Sequence, residues 1–124
     1  MGAAKKLARN EEREVDRLFE SAASYFSLLS EPTRLKILHA ICNEEKSVSE
    51  IVSMTGATQT NISRHLSVMY NARVLKRRRV GNAVYYSVGD PTLIKICRAV
   101  CMHVACDIGP GLDTAAAEAV FSTA

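Results

Sequence analysis

The sequence has no tryptophan, three prolines, six glycines and four cysteines in 124 residues. It has no apolar run near the roughly 18 residues needed to cross a bilayer, so no membrane segment is expected. It holds no Cys-x-x-Cys, no Gly-rich phosphate loop and no His-Glu-x-x-His. Their absence removes the usual thiol-redox, nucleotide and metalloprotease signatures. No enzyme is expected, and no motif requires a cofactor. Net charge is only +3, so a nucleic-acid partner has to be argued from where the cations lie. The first stretch, MGAAKKLARNEEREVDRL, lacks an apolar signal core and a cleavage site, which makes the cytoplasm the expected location. There, four cysteines are free, metal-bound or redox-active thiols more often than a disulfide framework.

The length suits one domain with a real core. Residues 1–13 are polar and read as a flexible arm. Val15, Leu18, Phe19, Ala22, Ala23, Phe26 and Leu29 recur at helical spacing, predicting a first helix over about 14–29. Ser30 and Pro32 suit the start of a second helix, with Leu35, Leu38 and Cys42 as its apolar stripe, backed by Ile37 and Ile41. Asn43 to Lys46 form a polar connection.

The segment SVSEIVSMTGATQTNISRHLSVM, residues 47–69, reads as two short helices. Ser47 and Glu50 have capping-box spacing, Gly56 stops the first helix, and Thr58 caps the second. Ile62, Leu66 and Met69 face inward, leaving Gln59, Thr60, Ser63 and Arg64 on a polar side. Two short helices about a Thr-Gly-Ala turn have the shape of a helix-turn-helix. Val74 to Val88 changes period, and two β-rich runs about Gly81-Asn82 predict a hairpin. Asp90 and Pro91 open a last helix running to about Asp107. The expected domain is 14–107, and residues 108–124 are expected to be a flexible tail.

A polar helix face carrying Gln, Thr, Asn and Arg can enter a major groove, where Gln or Asn reads adenine and Arg reads guanine. A solvated amphipathic face is the plainer reading of such a helix. The adjoining run Lys76-Arg77-Arg78-Arg79 tips the balance, because hairpin alternation lets some of these cations reach phosphates.

In LLSEPTRLKIL (28–38), SVSEI (47–51), TQTNISRHLSVM (58–69) and RVLKRRRVGNAVYYSV (73–88) the chain resembles the ArsR/SmtB family of winged-helix repressors. The resemblance covers about residues 20–107. Thr58 to Leu66 fits that family's Ser-Gln-x-x-x-Ser-x-His-Leu recognition helix. The fold it implies is mainly α with a small β-hairpin wing (α+β), a winged helix-turn-helix dimerising through its first and last helices. The partners it implies are a second copy of the chain and double-stranded DNA with a near-palindromic operator. The DNA-binding residues expected are Thr58, Gln59, Thr60, Asn61, Ser63, Arg64, Arg77, Arg78 and Arg79. His65 is carried with them, with a core position as its alternative.

The stretch ICRAVCMHVACD, residues 96–107, holds three thiols and an imidazole. On a helical wheel Cys97 and Cys101 share a stripe with Leu93, Val100 and Val104, Cys106 points away and His103 lies at the edge. One helix cannot wrap all four around one ion. Plain packing is an open reading for Cys42, Cys97 and Cys101, since buried cysteine behaves as a small hydrophobe.

The resemblance suggests thiol sensors at Cys42, Cys97, Cys101 and Cys106, or a metal set of Cys97, Cys101, His103 and Cys106. The family's Cys-x-Cys of the third helix is absent, with Ser47 and Ser49 in its place. Its Asp-x-His pair is broken by Thr92 after Asp90. Its thiol link between the second and last helices resembles Cys42 with Cys106, each displaced from the usual position. Three thiolates would suit a soft metalloid. The inducer is therefore a reactive sulfur or oxidant species, or a soft metal or metalloid ion. The rival readings are a regulator with structural cysteines only, or a winged helix that binds proteins.

Overall fold

The computed structural model describes residues 2–108, 111 and 113–122, with no side-chain detail for 2–7, 108 and 114. The chain divides into two compact units, residues 1–31 and 32–124. No described helix is long and apolar enough to cross a membrane.

The first unit is one helix, α1, Gly2–Leu28. The arm expected over residues 1–13 is corrected, since the helix already runs from Gly2. Ala3, Ala4, Leu7 and Ala8 are strong helix formers, a signal that apolar periodicity alone overlooks. The helix ends where Leu29 and Ser30 donate backbone N–H groups to Phe26 and Ser27, and the Ser30 hydroxyl also donates to the Ser27 carbonyl at 2.6 Å. Ser30 thus closes α1. Val15, Leu18, Phe19 and Phe26 lie exposed on this helix.

The second unit runs α2 (Pro32–Ile41), β1 (Lys46–Ser47), α3 (Val48–Thr55), α4 (Gln59–Asn71), β2 (Leu75–Val80), β3 (Ala83–Val88), α5 (Pro91–His103), a π turn (Val104–Ile108) and α6 (Thr114–Ala119). Its local chemistry is that of its caps. Ser47 accepts from the Glu50 N–H while the Glu50 carboxylate accepts from the Ser47 N–H, each at 3.2 Å. Gly56 then ends α3 at φ 73, a left-handed conformation that glycine adopts without a Cβ clash. Thr58 accepts from Asn61 N–H and starts α4, and Asp90 accepts from Thr92 N–H and starts α5.

The hairpin has register Leu75↔Val88 to Val80↔Ala83 about Gly81, at φ 59. A third strand, β1, joins it, pairing Lys46↔Tyr86 and Ser47↔Tyr85, so the sheet order is β1-β3-β2. Two residues are too short for a period to register in sequence, and the connection expected before Ser47 is partly this strand.

The core joins Ile37, Leu38 and Ile41 of α2, Ile51 of α3, Ile62, Leu66 and Met69 of α4, and Leu93, Ile94 and Cys97 of α5. Fully burying such side chains stabilises the fold by about 1.5–3 kcal/mol each.

The tail expected to be flexible over 108–124 is corrected in part. Asp113 caps α6 by accepting from Ala115 N–H, and Ala117 and Phe121 are buried. Arg98 Nη1 donates to the carbonyls of Glu118 and Val120, each at 2.8 Å. The Asn43 amide donates to the Ser122 carbonyl, and Phe121 N–H donates to His39 Nδ1 at 3.1 Å. The remainder of that expectation, at 109, 110, 112, 123 and 124, lies outside the described residues.

Candidate nucleic-acid interface and free thiols

Thr58, Gln59, Thr60, Ser63 and Arg64 are exposed at the start of α4, and Asn61 is half-buried. The same turns bury Ile62, Leu66 and Met69. The helix is thus anchored on one face and presents donors and acceptors on the other. Arg64 Nη2 donates to Asn61 Oδ1 at 2.9 Å, which orients the guanidinium along the helix. Gln59 and Ser63 share a cleft of about 240 Å³ with Ser47, Ser49 and Asn82. Sequence reading passed over Ser49 and Asn82, because they come from α3 and the hairpin turn and only the fold places them beside α4.

His65, expected either among the DNA contacts or in the core, is buried at 1% exposure. It falls between Ile62 and Leu66/Met69 on the inward face. Arg34 Nε donates to its Nδ1 at 3.1 Å. The neutral ring therefore carries its proton on Nε2, and Arg64 Nη2, 3.4 Å from Nε2, makes a contact rather than a hydrogen bond.

On β2, alternation separates the cations. Arg77 shares a sheet face with Tyr86 and Arg78 with Tyr85. The Arg77 guanidinium lies 3.9 Å from the centre of the Tyr70 ring, a cation–π distance. Arg78 Nε reaches both Glu45 carboxylate oxygens, at 3.1 Å and 2.9 Å, and its Nη2 pairs with the same group. These hydrogen bonds hold the Glu45 carboxyl below the usual carboxylate range. Arg79 is exposed and makes no ion pair among the described residues. Wing cations thus come pre-oriented to different degrees, with Arg79 the least committed.

All four cysteines are free thiols, with Cys97 buried, Cys42 and Cys101 half-buried and Cys106 exposed. Burial, with the Cys101 thiol adding to it, pushes Cys97 up to about 11. Burial also raises Cys42 and Cys101. A raised thiol is a poor nucleophile and ligand because the thiolate is scarce.

The stripe expected on the last helix splits. Leu93 and Cys97 turn into the core, whereas Val100 and Val104 stay exposed. The helix also changes character after His103, where the π turn begins. Such a turn rotates the chain less per residue, so Cys106 lies closer to the Cys101 side than an α continuation puts it. His103 Nδ1 sits 3.0 Å from Asp107 Oδ2.

The metal set Cys97, Cys101, His103 and Cys106 is not assembled in one chain, since no three His, Cys, Asp or Glu groups among the described residues form a metal cluster. The physical reason is that Cys97 is committed to the core while Cys106 is on the surface. Cys42 faces a cavity whose wall includes Phe121 and not Cys106.

The family model described as bacterial regulatory protein, arsR family, matches residues 31–77. The chain is 31% identical over 85 residues to a protein of Synechocystis sp. described as a transcriptional repressor SmtB homolog, covering 68% of this chain and 64% of that one. It is 39% identical over 72 residues to a probable mercury resistance operon repressor of Streptomyces lividans, covering 58% of each. The chain thus spans about three fifths of the length of these two curated relatives. The crystal structure of Mycobacterium tuberculosis Rv0081 superposes with a TM-score of 0.64 at 34% identity, covering 73% of this chain and 94% of that one.

Proposed function

Because this chain belongs to the ArsR family of bacterial regulatory proteins, we propose that it is a homodimeric repressor that binds a near-palindromic operator and releases it when its thiols react. The observation that carries the DNA reading is the exposed, capped start of α4 standing on a fully buried underside, beside a wing with three consecutive arginines. In this reading Gln59, Thr60, Asn61, Ser63 and Arg64 meet base edges and Thr58 meets a phosphate. Arg77, Arg78 and Arg79 contact the backbone or a minor groove. The exposed apolar side chains of α1, and Val100 and Val104 of the second unit, support a second copy as the partner. Two recognition helices must reach successive major grooves.

Cys97 is a packing residue in this reading. The effector enters at Cys106, the exposed thiol, with Cys101 or Cys42 as the second sulfur. A one-chain metal site does not fit these residues, as the buried Cys97 and the His103–Asp107 contact indicate. A soft metal or metalloid would need ligands from the second copy. The mercury-operon name of one relative favours a soft ion, and the exposed Cys106 suits a reactive sulfur or oxidant species equally. Either effector shifts the dimer between two geometries by its differential affinity for them.

The test is binding of the reduced protein to a pool of genomic fragments, repeated after polysulfide, As(III) and Hg(II), with mass spectrometry of each product. Selective, salt-dependent duplex binding that is lost on treatment, and retained in Cys106→Ser, is the expected result. Absence of selective duplex binding by the reduced protein overturns the reading.

A further inference from the structure

A cavity of about 230 Å³ lies between α5, the end of β3 and the C-terminal segment. Val88, Pro91, Ile94 and Phe121 make its apolar wall, and the Cys42 thiol opens on it. Lys95 and Arg98 bring two cations to the lining, and no lining residue is acidic. Lys95 makes no hydrogen bond or ion pair among the described residues.

Arg98 is already used as an oxygen site, its Nη1 holding the carbonyls of Glu118 and Val120. Nη1 is thereby occupied, and the other guanidinium nitrogens of Arg98 make no hydrogen bond among the described residues, which leaves donors for a carboxylate oxygen.

Phe121 closes the cavity at φ 52. A non-glycine residue in that region costs conformational energy and persists only where neighbouring contacts hold it. Here those contacts are the hydrogen bond to His39 and the edge-on approach of the His39 and Phe121 rings, 5.5 Å between centres. Those contacts fix the Phe121 ring as part of the cavity wall. At about 30 Å³ per water-sized atom, 230 Å³ holds roughly eight heavy atoms, the number in hexanoate and one fewer than in the more compact benzoate.

We propose that this cavity binds a small apolar monocarboxylate, its hydrocarbon part against Val88, Ile94 and Phe121 and its carboxylate between Lys95 and Arg98. The site is separate from the DNA-facing surface, since none of these residues lies on α4 or β2, and its test does not depend on DNA binding.

The experiment uses the full reduced chain. Alkylation of Cys42 by iodoacetamide at alkaline pH is followed by mass spectrometry of its peptide, with hexanoate or benzoate present. The uncharged amides hexanamide and benzamide serve as controls, and titration calorimetry measures the same four compounds. The expected result is that the acids protect Cys42 in proportion to occupancy and leave Cys106 unaffected, while the amides protect far less. Lys95→Met, a change at an exposed position, weakens the acids roughly fivefold, the size of one partly exposed ion pair. Equal protection by acids and amides overturns the proposal. So does an absence of both protection and binding heat, or an unchanged affinity in Lys95→Met.

Discussion

Arg78 of the wing is held by Glu45 of the α2–β1 connection, its Nε 2.9 Å and 3.1 Å from the two carboxylate oxygens. This pairing ties the hairpin to the helical body and occupies a cation that a phosphate would otherwise attract. Glu45→Gln should therefore strengthen duplex binding and steepen the plot of log K against log salt by up to about one unit, as one more cation becomes available. Arg79→Ala should do the opposite, flattening the slope by about one and weakening all sequences alike. Fluorescence anisotropy across a salt series reads both. Falling pH should mimic Glu45→Gln: a depressed carboxylate keeps its pair above its unfolded value and loses it as pH drops through the folded one.

Base preference should reside on α4. Arg64→Ala and Gln59→Ala should each remove about 1–3 kcal/mol of discrimination at one operator position and leave the salt slope nearly unchanged. Selection from a randomised duplex pool measures this. A preference that survives both changes would mean that α4 does not enter the groove as proposed.

His65 should behave as a core residue. Replacing it by Leu removes the acceptor of the Arg34 Nε and should cost about 1–3 kcal/mol in urea unfolding. Loss of DNA affinity without loss of stability would put the ring back among the DNA contacts.

The thiols should react in order of exposure, Cys106 first and Cys97 last, in timed alkylation with peptide mapping. Cys97 also sets an alkaline limit. Its folded value of about 11 lies above its ordinary 9.0, so the stability it contributes is complete below pH 9.0 and is lost as pH rises through about 11. The loss should be on the order of 2–3 kcal/mol by the top of that window and absent in Cys97→Ala. An identical alkaline slope in the variant would refute the assignment.

Much of this was readable along the chain. Ser47 with Glu50, Gly56, Thr58, Asp90-Pro91 and Gly81-Asn82 each act within four residues of themselves, so cap and turn chemistry determined where α3, α4, α5 and the hairpin begin or end. The inward stripe Ile62, Leu66 and Met69 determined which side of α4 remains polar.

What the tertiary structure decided involves groups far apart in sequence, or a break in period. Arg78 meets Glu45, Arg34 meets His65, and His39 meets Phe121 only because strands and helices are brought together. The same holds for burial. Cys97 and Val100 share one side of an ideal helix, yet only Cys97 faces the rest of its own chain. The turn after His103 widens, and that local change in rotation moves Cys106. An Ala-rich tail has strong helix propensity but is too short to hold a helix in isolation. Three side chains from α2, α5 and the connection after α2 decide that this one docks, because only the folded surface offers its carbonyls and Phe121 their partners.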